Sequence, residues 1–252
     1  MQQIKSVRYF LKLSFNGKNY HGWQVQLNAH AVQAEVDKAL SILLRENINT
    51  LGCGRTDTGV HAKLFYVHFD CASEITQHDF IHHLNCLLPC DIAIHELIKV
   101  SDEAHARFDA ISRTYEYFMY HHKNPFLEES AYFFPYQLDL EKMNNACNTL
   151  KEYTDFSCFS KSRTQTKTND CKIAEAYWRT ENNQTVFRIT ADRFLRNMVR
   201  AIVGTMTEIG EHKIEEQNFR SIIEGKSRSE AGFSVPAKGL YLVDVRYKDL
   251  GL

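Results

Sequence analysis

Long hydrophobic runs are missing from this chain of 252 residues. No stretch of about 18 apolar residues occurs, so no membrane span is expected. The amino terminus, MQQIKSVRYFLKL, lacks an apolar segment followed by a small-residue cleavage site, and the expectation is a mature, cytoplasmic protein. Excess charge is missing too: 30 Lys and Arg stand against 31 Asp and Glu, for a formal net charge of −1. A neutral total does not exclude nucleic acid, because binding needs a local basic face rather than a basic average. No linker rich in Pro, Gly or Ser interrupts the sequence, so any two halves are expected to share an interface. The seven cysteines form no C-x-x-C, and the close pair Cys86 and Cys90 has leucines between. That pattern points to reduced thiols in a reducing compartment rather than to disulfides or zinc. None of the twelve histidines, not even the pairs His82-His83 and His121-His122, falls in an H-E-x-x-H or similar spacing. A metal-dependent hydrolase therefore lacks its signature, and no metal site is expected.

What is present reads as an ordinary globular protein, 44% hydrophobic and 24% charged. VRYFLKLSF alternates, with Val7, Tyr9, Leu11, Leu13 and Phe15 on one face and Arg8, Lys12 and Ser14 on the other, a half-buried strand. Val32, Val36, Leu40 and Leu43 recur at helical spacing. KLFYVHF is a strand, TQHDFIHHLNCLL a helix closed by Pro89, and IAIHELIKV a strand. RTYEYFMY then alternates as a strand, LEKMNNACNTL is helical, and CKIAEAYWRT with QTVFRITA reads as a hairpin. A helix starting near Arg193, another over IEEQNFRSIIEG and the strand GLYLVDVRY complete the order. Helices among half-polar strands favour an α+β fold with largely antiparallel sheet. The repeated order suggests two related halves, residues 1–104 and 105–252.

Four places could carry chemistry. In DRFLRNMVRAIVGTM, Leu195, Met198, Val199, Ile202, Val203 and Met206 make an apolar stripe, while Arg193, Arg196 and Arg200 cluster within about 60° elsewhere on the predicted helix. The arginines form either a solvated face or a reader of phosphate or carboxylate. In HARFDAISRTYEYFMY, Arg113, Tyr115 and Tyr117 share a strand face, which either packs into the core or stacks unpaired bases. SKSRTQTKTNDCK, with Arg163 and Lys167, is a basic loop, either plain surface or a phosphate-contacting finger. The fourth place is CGRTDTGVHA, residues 53–62. Gly52, Gly54 and Gly59 permit backbone conformations closed to other residues, so the loop can present Asp57 into a cleft. An aspartate near cations stays ionised and suits a nucleophile or base; the alternative is a turn aspartate capping its own loop.

GRTDTGVHA resembles the G-R-T-D-x-G-V-H-A signature of the TruA-type tRNA pseudouridine synthases. FNGKNYHGWQVQ with AVQAEVDKAL, HARFDAISRTYEY, FLRNMVRAIVGTM and PAKGLYL are similar, in the same order, to further blocks of that family. The departure within the signature is small: Thr58 stands where alanine is common. The resemblance implies a pseudouridine synthase fold of two pseudo-symmetric halves about a central cleft. It implies Asp57 as the catalytic aspartate, Arg200 as its partner and Tyr115 as the residue stacked on the target uracil. Arg55 would help to displace the base, Leu240 and Leu242 would line the pocket floor, and Arg193, Arg196, Arg163 and Lys167 would contact RNA backbone. The implied reaction is isomerisation of uridine to pseudouridine without a cofactor. Its target would be the tRNA anticodon stem-loop, at about positions 38 to 40, with the nucleotide flipped out. A homodimer that pools basic patches is implied as well. The same chemistry on another RNA, or a non-catalytic RNA-binding relative, are the alternatives.

Overall fold

In the computed structural model, residues 6–161 and 168–248 are described, and they divide into two units, 1–111 with 242–252 and 112–241. The first unit runs β1 (Val7–Phe15), α1 (Val32–Leu44), β2 (Leu51–Gly52), β3 (His61–Cys71), α2 (Phe80–Leu87) and β4 (Ile92–Lys99). The second runs from Ser112 within β5 (Ala110–Tyr120) through β6 (Tyr132–Phe133), α3 (Leu140–Leu150), β7 (Ile173–Glu181), β8 (Gln184–Ala191), α4 (Met198–Gly210) and α5 (Glu216–Gly225). β9 (Leu240–Tyr247) closes the order, and from Leu242 onward it belongs to the first unit. The class is α+β, with antiparallel pairs β1/β3, β1/β4, β2/β3, β5/β8 and β7/β8 and a short parallel pair, β5/β6.

In the first unit the strands lie in the order β4-β1-β3-β9. Leu11, Leu13, Phe65, Val67 and Phe69 form a core with Val36 and Leu40 of α1 and Leu84 of α2. The sequence reading of β1 as half-buried needs correction at its centre. Phe10, on the face with Arg8 and Lys12, is fully buried against His68 and Tyr247, at ring distances of 6.1 and 5.5 Å. The turn at 104–109 covers this face: Ala106 N–H donates to His68 Nδ1 (3.1 Å), and the Tyr247 hydroxyl donates to Ala106 O (2.6 Å). Arg8 and Lys12, at the edges, pair with Asp70 and Glu96 instead.

In the second unit β8 lies between β5 and β7. The β7–β8 hairpin turns through Asn182 and Asn183 at φ 49 and 59, the left-handed pair that a two-residue turn requires. Trp178 packs on Phe187 (4.8 Å) and points its indole N–H at the Met206 sulfur of α4 (3.3 Å). Asn144 of α3 exchanges two hydrogen bonds with the Trp178 main chain, which satisfies peptide groups that the edge strand would leave open. On the opposite sheet face Glu116 accepts hydrogen bonds from Arg179 (2.9 Å) and Arg188 (3.0 Å). No helix of the described residues is long and apolar enough to cross a membrane.

Candidate active site

Residues 53–60 connect β2 to β3, and the segment 17–23 moulds them. Buried Cys53 donates its N–H to Tyr66 O (2.8 Å), which ties the loop's start to β3. Thr56 Oγ1 accepts the N–H of Trp23 (3.0 Å). Gly22 sits at φ 87, and a Cβ there would stand 2.1 Å from Thr56 O, so both conformation and space demand glycine. Gly17 is pressed as closely on the loop's far end, where a Cβ would lie 2.0 Å from Val60 O. Between them the chain turns, with Gly59 at φ 77, Val60 N–H donating to Asp57 O (3.1 Å) and Gly59 N–H to Tyr20 O (3.2 Å). Asp57 emerges half-buried, and Arg55 is exposed.

The glycine reading changes accordingly. Of the three loop glycines singled out from sequence, only Gly59 has a positive φ. Gly52 is needed for room, since a Cβ would stand 2.5 Å from Trp23 Nε1, whereas a Cβ on Gly54 would meet nothing within 4 Å. Gly17 and Gly22 were missed. Their sequence signal, the spacing in NGKNYHG, has no meaning until the loop they touch is known.

In the second unit the residues Arg113, Tyr115 and Tyr117, read as one strand face, differ in burial. Tyr117 is core: fully buried, its hydroxyl donates to Pro236 O (2.8 Å), and desolvation pushes its pKa far above the ordinary phenol value. Tyr115, half-buried, meets Phe194 edge-to-face at 5.1 Å and 88°. Arg113 donates to Asp192 O (2.8 Å).

The arginine stripe does not form as expected. α4 begins at Met198, not near Arg193, because Asn197 takes a left-handed conformation (φ 68) with its side chain on Ser234. Asp192 Oδ1 accepts the N–H groups of Lys172 and Arg193, each at 2.7 Å, which holds this stretch in a loop. Arg193 and Arg196 therefore precede the helix, and only Arg200 lies on it. Arg200 Nε donates to Val235 O (2.6 Å), and Val235 N–H returns to Arg200 O (3.3 Å). The apolar half of the reading stands, with Leu195, Met198, Val199, Ile202, Val203 and Met206 all buried.

The basic loop starts and ends on the same turn. Lys161 N–H donates to Arg196 O (3.1 Å), and Asp192 N–H donates to Lys172 O (3.2 Å). Exposed Lys161, Lys172 and Arg196 are thus gathered beside half-buried Arg193. Arg163 and Lys167 lie outside the described residues. Leu242, on β9, is 1% exposed, and Leu240 is buried as well. Among the described residues every cysteine is a free thiol, and no group of three or more His, Cys, Asp or Glu could hold a metal ion.

The HARFDA stretch is a turn organised by two imidazoles. His105 Nδ1 accepts the N–H groups of Arg107 (3.1 Å) and Phe108 (3.2 Å), and Asp109 accepts the N–H of His105 (2.6 Å). His68 beneath it is pushed down to about 4, first by desolvation and then by His105 and Arg8.

The family model described as tRNA pseudouridine synthase matches residues 146–248. The tRNA pseudouridine synthase A of Parabacteroides distasonis is 51% identical over 243 residues, 96% of each chain. Those of Azobacteroides pseudotrichonymphae and Bacteroides fragilis are each 48% identical, covering 95% of this chain and 96% of theirs. At that identity over nearly the full length, the chain belongs to the tRNA pseudouridine synthase A family.

Proposed function

We propose that this protein isomerises uridine to pseudouridine in the tRNA anticodon stem-loop, at about positions 38 to 40, with Asp57 at the reacting centre. Two findings support the reading: the near-full-length identity to tRNA pseudouridine synthase A, and the fit of residues 17–23 around the G-R-T-D loop. A carboxylate on a loop templated at both ends is pre-positioned, which a capping turn would not need.

In the reaction the bond from N1 to C1′ breaks, the uracil turns, and C5 bonds to C1′. The C5 proton leaves and N1 takes one up. No electrons are exchanged and no atom is lost, so the chemistry needs no cofactor. Asp57 attacks C1′ or C6 or deprotonates the sugar; each role requires a fixed carboxylate. Arg200, its Nε committed to the main chain, pairs with that carboxylate through the remaining edge of the guanidinium. Tyr115 stacks on the uracil, Arg55 fills the place the base has left, and Leu242 closes the pocket floor. In this reading residues 1–104 supply the aspartate and residues 105–252 the tyrosine and arginine, in the central cleft of two pseudo-symmetric halves. Flipping the nucleotide costs a few kcal/mol, offset by phosphate contacts from Arg193, Arg196, Arg163 and Lys167. A homodimer pools two such basic patches and reconciles RNA binding with a net charge of −1. The setting is the cytoplasm.

Tritium release from C5-labelled uridine in an unmodified tRNA transcript tests this. Wild type releases tritium; Asp57→Asn does not, while it binds the tRNA within several-fold of wild type. Full turnover by Asp57→Asn would refute its role. No release from tRNA by wild type, with release from another RNA, would move the substrate and keep the chemistry.

A further inference from the structure

Arg228 is an arginine that the reading above leaves without a task. It is half-buried in the segment between α5 and β9, and among the described residues it has no ion pair. Its guanidinium is instead directed into its own loop. Nη1 donates to Ala231 O (3.2 Å) and Gly232 O (3.1 Å), and Nη2 donates to Ser234 Oγ (2.8 Å). A cation bound to neutral acceptors by a planar fork fixes shape rather than neutralising charge.

The shape it fixes is the one that holds Arg200. Ser234 Oγ also accepts the Asn197 side-chain amide (2.5 Å), and Asn197 is the left-handed residue that sets where α4 begins. The next residue, Val235, supplies the carbonyl that receives Arg200 Nε at 2.6 Å. The segment lies hard against α4: a Cβ on Gly204 would be 1.8 Å from Phe233 O, and Gly232 N–H donates to Thr205 Oγ1 (2.9 Å). Hydrogen bonds thus join Arg228 to Ser234 and Ser234 to Asn197, and the peptide bond from Ser234 to Val235 carries that anchoring to the carbonyl that receives Arg200.

We propose that Arg228 is a positioning residue for Arg200, acting through Ser234 to fix Val235 O and the start of α4. A long arginine side chain has many rotamers, and a single main-chain acceptor orients its guanidinium only if that acceptor is itself immobile. A displacement of about 1 Å at a reacting group costs up to about a hundredfold in rate, so the tether is felt in turnover before it is felt in affinity. The inference rests on Arg200 belonging to the active site.

Ser234→Ala and Arg228→Lys, each made in wild type and in Arg200→Lys, test it by tritium release with kcat and KM for tRNA separated. Thermal denaturation follows the fold, and Ser234→Ala is the milder change should Arg228→Lys unfold. Each variant is expected to lower kcat about tenfold with KM held within about threefold. In the Arg200→Lys background the same changes should have almost no further effect, because the group they position is gone. An equal loss in both backgrounds would overturn the proposal, as would folded variants with wild-type kcat. Full kcat in Arg200→Lys alone would instead remove Arg200 from the active site, and the positioning role with it.

Discussion

Replacing Gly22 with alanine tests whether the Asp57 loop works as a templated element. The added Cβ would lie 2.1 Å from Thr56 O, 3.1 Å from Thr56 C and 3.3 Å from Asp57 C. The shortest of these falls well inside any real Cβ contact, so the Thr56–Asp57 peptide must retreat by about 1 Å or the 20–23 segment must rearrange. Alanine at φ 87 adds strain of about 1–3 kcal/mol, and overpacking adds a similar amount. If the loop yields, the carboxylate moves by the same 1 Å, and the rate is expected to fall about a hundredfold. The assay is single-turnover tritium release at saturating enzyme, with tRNA affinity measured by filter binding and the fold by thermal denaturation. Affinity should change by no more than a few-fold. A companion pair avoids the backbone clash: Thr56→Ser keeps the acceptor for Trp23 N–H, and Thr56→Val removes it at nearly constant shape. Valine should lower the rate well below serine. A folded Gly22→Ala enzyme within about threefold of wild type would refute the reasoning.

Glu116→Ala removes the carboxylate that Arg179 and Arg188 share and should destabilise the second unit by about 2 kcal/mol, discounted for the partial exposure of both arginines, as read by urea denaturation. His68 carries a pH dependence: its folded value of about 4 lies below the ordinary 6.5, so its contribution is present above about 6.5 and is lost as pH falls towards 4. The loss should reach about 2–3 kcal/mol in denaturant titrations between pH 7.5 and 4. His68→Asn, which keeps an acceptor for Ala106 N–H but does not titrate, should flatten that dependence. Arg196→Glu should weaken tRNA binding with little change in single-turnover rate at saturation, and should reduce the salt dependence of affinity; unchanged affinity would take Arg196 off the binding face.

Much of the architecture was legible because local pattern and tertiary use coincide. β1 and β3 form where alternation places strands, α1 repeats its valines and leucines at helical spacing, and Pro89 follows α2 where the reading closed it. The errors fall where a distant segment decides. A helix pattern runs back through Arg193, but Asn197 bonded to Ser234 and Asp192 bonded across to Lys172 make that stretch a loop. Phe10 sits on the polar side of an alternating strand, and it is buried against His68 and Tyr247, both tied to the turn at 104–109.

The candidate residues show the same division. Asp57, Arg55, Tyr115 and Arg200 came from motifs, since side-chain chemistry and order are written in the chain itself. By itself the sequence determined the class of fold and the family, and it named the candidates for the reacting groups. What holds those groups was decided only in three dimensions. Gly17 and Gly22 matter through main-chain atoms about 35 to 45 residues away. Arg228 matters through a serine hydroxyl and a carbonyl that lead to Arg200. Local periodicity encodes which face of an element is apolar, but close approach and hydrogen bonding between separated segments exist only once the chain has packed.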